Sequence, residues 1–92
     1  MRKYEIMVIF NTDEDSIESN KSFISTTLSN NNIKITKEKD IGLRDLAYEI
    51  NKKNKGHYYL YIVETKNRNF LEMEKAFKLH KGLLRYFIIK QD

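Results

Sequence analysis

Apolar and polar residues alternate from Lys3 to Phe10, which puts Tyr4, Ile6, Val8 and Phe10 on one side of a strand and Lys3, Glu5, Met7 and Ile9 on the other. Both sides are largely apolar, so the pattern predicts a central strand. The spacing then becomes helical: Ile17, Phe23, Ile24 and Leu28 form a buried stripe. Asp13, Glu14 and Asp15 crowd the start of that helix, where the backbone dipole favours negative charge, and Asn30, Asn31 and Asn32 end it.

From Ile33 the alternation returns. Ile33, Ile35, Ile41 and Leu43 share one parity, whereas Leu46, Tyr48 and Ile50 share the other. A straight strand cannot hold both sets on one face, so a bulge or bend is expected between Gly42 and Asp45. Asn51 to Gly56 has turn composition and joins this strand to a second one, His57 to Glu64, as an antiparallel hairpin. Asn69 with Glu72 three residues later predicts a capping box, opening a helix whose inner stripe is Phe70, Met73, Ala76 and Phe77 and which Gly82 caps. Leu84 to Lys90 is a last strand, with Tyr86 and Ile88 on one face and Phe87 and Ile89 on the other.

The succession strand, helix, strand, strand, helix, strand predicts an α+β, ferredoxin-like βαββαβ fold in a single domain over residues 1–92. Right-handed crossovers make the first and third strands central in a four-stranded antiparallel sheet, with the second and fourth on its edges. Two helices cover one sheet face only. The open face then carries Met7, Ile9, Tyr58, Leu60, Ile62, Phe87 and Ile89, too apolar a set for solvent alone. The opposite parity, exposing Tyr59 and Tyr61, is the alternative.

Composition narrows the possible partners. The net charge of +4 and pI near 9.3 suit a polyanion, although many soluble proteins that bind none share that balance. The absence of cysteine excludes disulfides, thiolate catalysis and Cys-based metal sites, and fits a reducing compartment. The apolar run Ile6 to Phe10 is too short for a signal or membrane segment, so a cytoplasmic chain starting at Met1 is expected.

Chemistry-bearing residues are sparse. His57 and His80 have no nearby cluster at metal-ligand spacing, and Asp13 and Asp15 are accounted for by the helix start. Asp40, Asp45 and Glu49 alternate with basic residues, and Gly42, Gly56 and Gly82 are too scattered for a phosphate loop. No nucleophile–base set exists, so no enzyme, metal, cofactor or small-molecule substrate is expected. Arg2, Lys3, Arg44, Lys52, Lys53, Lys55 and Lys90 fall at strand ends or in the hairpin tip, where they can follow a phosphate backbone or simply solubilise the surface. Base stacking on the open face has little support, because Tyr58 is its one stacking ring on the third strand and no Lys/Arg-Gly-Phe-Gly-like tract is present. Protein docking fits this face better.

Gly42, Arg44, Asp45, Leu46, Ala47, Tyr48, Ile50 and Asn51 resemble the signature of the bacterial ribosomal small-subunit protein six family. The start Met1-Arg2-Lys3-Tyr4-Glu5, the Gly56 to Glu64 strand and the Arg85 to Lys90 ending are similar to it too, so the resemblance spans nearly the whole chain. It implies a structural ribosomal protein that pairs with small-subunit protein eighteen and binds the central domain of the small-subunit rRNA. It also implies binding, as that pair, to the leader of its own messenger RNA.

On this resemblance Arg2 is the first expected rRNA contact, followed by Lys3, Lys52, Lys53, Lys55 and Lys90. Arg44, Asp45, Leu46, Tyr48, Tyr58 and Leu60 are the expected protein-partner residues, with core packing the plainer alternative for Leu46 and Tyr48. One departure is that many members carry a polar or acidic tail, whereas this sequence stops at Asp92. The competing class is a ferredoxin-like homo-oligomer that uses the same bare face for ligand binding or regulation.

Overall fold

A computed structural model describes residues 1–12, 16–50, 52–66 and 69–91. The acids expected at the first helix start and Asn51 of the signature lie outside these residues. The elements run β1 (Arg2–Phe10), α1 (Ile17–Asn30), β2 (Lys34–Ile50), β3 (Lys53–Thr65), α2 (Leu71–Leu79) and β4 (Leu83–Gln91). The strands form one sheet in the order β2-β3-β1-β4, every neighbour antiparallel, so β1 and β3 are central as the pattern requires.

Local chemistry sets the ends of α1. Ser16 caps the start by accepting a 3.1 Å hydrogen bond at Oγ from the Ser19 backbone N–H. At the other end Asn32 adopts φ 60, so that its own N–H reaches the Ser29 carbonyl and the Ile33 N–H reaches the Leu28 carbonyl. Two carbonyls of the last turn are thereby satisfied, Leu28 accepting from the Asn31 N–H as well.

Register decides the parity question. Ile6 lies opposite Tyr61 and Ile88, and Val8 opposite Tyr59 and Tyr86. This face meets the helices, where Tyr4, Ile6, Val8, Phe10, Tyr59, Tyr61 and Val63 bury against Ile24, Leu28, Met73 and Phe77. Tyr59 and Tyr61 are thus core. Tyr59 donates from its hydroxyl to Glu38 at 3.0 Å, and the Lys21 ammonium stands 5.0 Å from its ring. That hydroxyl, more than any other neighbour, holds the Lys21 ammonium pKa above its ordinary value.

Three expectations need correction. The Asn69/Glu72 capping box does not form: Asn69 Oδ1 accepts from the Leu71 N–H two residues on, and Phe70, with no side-chain cap, is the N-cap of α2. Phe70 is held instead by its ring, edge-on to Tyr4 at 4.9 Å. Gly82 is not a left-handed cap, since α2 ends at Leu79 and Gly42 is the glycine with positive φ. Gly56 belongs to no turn either: it is buried within β3, where a Cβ would lie 2.4 Å from Ile9 Cγ2. The hairpin turn is correspondingly shorter, with Lys53 and Lys55 already paired to Ile50 and Asp45.

The anticipated irregularity in β2 is present at Gly42, with φ 95, but the strand slips register in three places, after Ile35, after Asp40 and after Asp45. β2 is an edge strand with its side chains mostly exposed, so no buried face enforces a single alternation.

α2 is tied to β4 through Tyr86, whose hydroxyl donates to Glu74 at 2.8 Å. Burial first, then that bond and the carboxylate's charge, push the phenol up to about 12. The folded pKa is raised, so this tyrosine's contribution to stability is complete below pH 10 and is lost as pH rises from 10 through 12. In an alkaline titration followed by tyrosine absorbance, burial makes Tyr59 and Tyr61 ionise late as well, and the late component that moves down in Glu74→Gln should be that of Tyr86.

Candidate macromolecular interface on the open sheet face

On the side away from the helices, register builds three rows. Lys39, Leu60, Met7 and Phe87 form the middle one; Lys37, Ile62, Glu5 and Ile89 flank it on one side, and Gly42, Tyr58, Ile9 and Arg85 on the other. Phe87 and Ile89 are 46% and 55% exposed, and Met7, Tyr58, Leu60 and Ile62 are half-buried. The centre is apolar and the margin is cationic, with Lys34, Lys37 and Lys39 on the β2 side and Arg85 on the β4 side. This is the composition of a docking surface with an apolar centre and a polar rim.

Ile9 departs from the expected exposure, being only 3% exposed. Between the Asp45–Lys55 and Ile50–Lys53 pairs, four residues of β2 face a single residue of β3, and this wide bulge brings the strand over the open face. Leu46, Ala47, Tyr48 and Ile50 line a solvent-open pocket of about 140 Å³ together with Ile9, Tyr58, Arg85 and Phe87. Arg85 Nη1 donates to the Tyr48 hydroxyl at 2.9 Å, and its guanidinium stands 5.6 Å from the Tyr48 ring centre. Leu46 and Tyr48 are therefore not part of the core under the helices; Leu46 is half-buried in this pocket and Tyr48 is 64% exposed.

The basic candidates separate into two groups. Arg2 and Lys3 pair with Thr65 and Glu64, and Lys90 lies opposite Tyr4, which places all three at one end of the sheet. Lys52, Lys53 and Lys55 lie at the other end of a molecule 37 Å long. There Lys53 shares a depression with Lys78, His80 and Lys81, of which the two lysines were not anticipated from sequence. Of the partner candidates, Tyr58 and Leu60 sit on the open face, Arg44 opposes Gly56, and Asp45 opposes Lys55. Arg85 joins the site without a motif of its own, and its shared parity with Phe87 and Ile89 is the one signal for it in the sequence.

Both histidines hold structural contacts. His57 Nε2 is 2.6 Å from Asp40 Oδ1 across the β2–β3 ladder. His80 Nε2 is 2.8 Å from Asn20 Oδ1, and its ring stacks on Phe23 at 3.8 Å. Among the described residues no group of three or more His, Cys, Asp or Glu is placed to hold a metal, and no helix is long and apolar enough to cross a membrane.

Known proteins resemble this chain along its whole length. Residues 3–90 match the family described as Ribosomal protein S6. The small ribosomal subunit protein bS6 of Phytoplasma australiense is 38% identical over 93 residues, covering 99% of this chain and 100% of the relative. That of Treponema denticola is 37% identical over 92 residues, covering 100% and 99%. The crystal structure of 30S ribosomal protein S6 from Thermotoga maritima superposes with a TM-score of 0.86 at 25% identity, covering 98% of this chain and 87% of that one. A sheet with one bare, cation-rimmed face and full-length matches of this kind have one reading: the chain belongs to the ribosomal protein S6 family.

Proposed function

We propose that this protein is a cytoplasmic, non-catalytic component of the small ribosomal subunit that binds the central domain of the small-subunit rRNA together with small-subunit protein eighteen. The observation that carries this reading is the open sheet face, whose apolar rows are left to a partner while its margin and both ends of the sheet present lysine and arginine. Burying those rows against a protein drives the pairing, and the joined surface offers cations to phosphate. The leader of its own messenger RNA is the second ligand we assign to that joint surface.

Binding to a central-domain rRNA fragment, measured with and without protein eighteen at two salt concentrations, tests this. The partner should raise affinity at least tenfold, and affinity should fall steeply with salt. Arg2→Ala with Lys3→Ala is expected to weaken RNA binding about tenfold and to reduce the salt slope by roughly 2. The hairpin-tip triple Lys52→Ala, Lys53→Ala and Lys55→Ala tests the opposite end separately. No gain from the partner, together with unchanged slopes in both variants, would overturn the reading. A stable homodimer on sedimentation would favour a homo-oligomeric domain in its place.

A further inference from the structure

We infer that Leu46–Ile50 is a movable strap, closed over the hairpin-tip half of the open face in the free protein and in competition with any partner for Ile9, Tyr58 and Arg85.

Leu46, Ala47, Tyr48 and Glu49 stand opposite Asn54 alone, so this stretch lacks the regular ladder that fixes the rest of β2. Positive φ at Lys52 gives a turn after it, and before it the regular pairing of β2 with β3 ends at Asp45–Lys55. What holds it down is on the face itself: the Arg85–Tyr48 hydrogen bond, the guanidinium against the ring, and apolar contact around the pocket. The pocket between these residues and the face stands open to solvent, so the seam between strap and face is not sealed along its whole length. Tyr48, at 64% exposure, is fastened mainly at its hydroxyl tip.

Opening the strap uncovers Ile9 and Tyr58 and frees Arg85, extending the bare apolar centre and its cationic margin toward the hairpin tip. A partner that takes this half of the face must displace the strap, so the strap lowers affinity for weak apolar binders and leaves the half around Ile62 and Ile89 continuously available. Nothing in this depends on which partner is bound.

The chain's freedom from cysteine allows a clean test. A single thiol is introduced by Tyr58→Cys under the strap, or by Leu60→Cys in the adjoining row away from it, and its modification by a bulky maleimide is timed without partner or RNA. Adding Arg85→Ala should speed modification at position 58 about tenfold and leave position 60 unchanged. Tyr48→Ala, at a largely exposed site, should do the same and serves if the Arg85 variant fails to fold. An unchanged rate at position 58, or an equal rise at 58 and 60, would overturn the strap while leaving the rRNA reading intact.

Discussion

Gly82→Ala should cost about 3 kcal/mol of stability, lowering the melting temperature by roughly 15 °C. A Cβ at position 82 would sit 2.0 Å from Asn20 Oδ1, 2.8 Å from its Cγ and 2.9 Å from His80 Nε2. Asn20 cannot step aside easily, because it is fully buried on α1 and bonded to the His80 ring. His80 is in turn stacked on Phe23, which packs against Phe77. The added methyl therefore either breaks the Asn20–His80 bond in a buried setting or pushes α1 from the α2–β4 connection, and both are expensive. Thermal and urea melts followed by circular dichroism measure the loss. In an Asn20→Ala background, where the two nearest obstructing atoms are gone and His80 Nε2 at 2.9 Å remains, the same substitution should lose most of its cost, giving a coupling above about 1 kcal/mol. A cost below about 1 kcal/mol in the parent chain would mean that Asn20 has room to rotate.

Phe87→Asp combined with Ile89→Asp should weaken the proposed binding to protein eighteen at least 100-fold while the fold persists. These are the most exposed large apolar residues of β4, next to Met7 and Glu5 of β1 in register. Truncating central apolar anchors of an interface typically costs 2 kcal/mol or more each, and a carboxylate adds the cost of burying a charge beside an apolar partner. Their exposure limits the penalty to the isolated chain to about 2 kcal/mol, mostly the poor strand propensity of aspartate. Titration calorimetry gives the affinity, and a melt of the free variant separates lost binding from lost folding. Retention of parent affinity by a folded variant would remove the open face from the proposed interface.

Much of the fold was legible because alternation and helical spacing are direct consequences of one-sided burial. Tyr4, Ile6, Val8 and Phe10 repeat every second residue, and all four are buried against the helices. The open face followed by subtraction, since two helices leave one side of a sheet bare, and Phe87 and Ile89 are exposed where that subtraction put them. Signals were weaker where burial was weaker. β2 runs along an edge, largely solvent-exposed, and its three register slips left no consistent parity to read.

The glycines mark the other boundary. Gly56 and Gly82 had turn and cap readings from their immediate neighbours, yet what excludes a side chain at each is a residue distant in sequence, Ile9 in one case and Asn20 in the other. Arg85 and Tyr48 are likewise 37 positions apart, and only the bulge in β2 brings them together. The lysines that read as one basic population prove to occupy opposite ends of the sheet, because antiparallel β1 and β3 carry their termini in opposite directions.

The chain's own alternation thus determined which elements form, their order, and the existence of a face without cover. Tertiary structure alone decided which tyrosines that face excludes, that part of it is closed by the protein's own bulged strand, and how its cations are divided. Local patterns report how much of a residue is buried, whereas contacts made through register and chain reversal depend on partners that no short window contains.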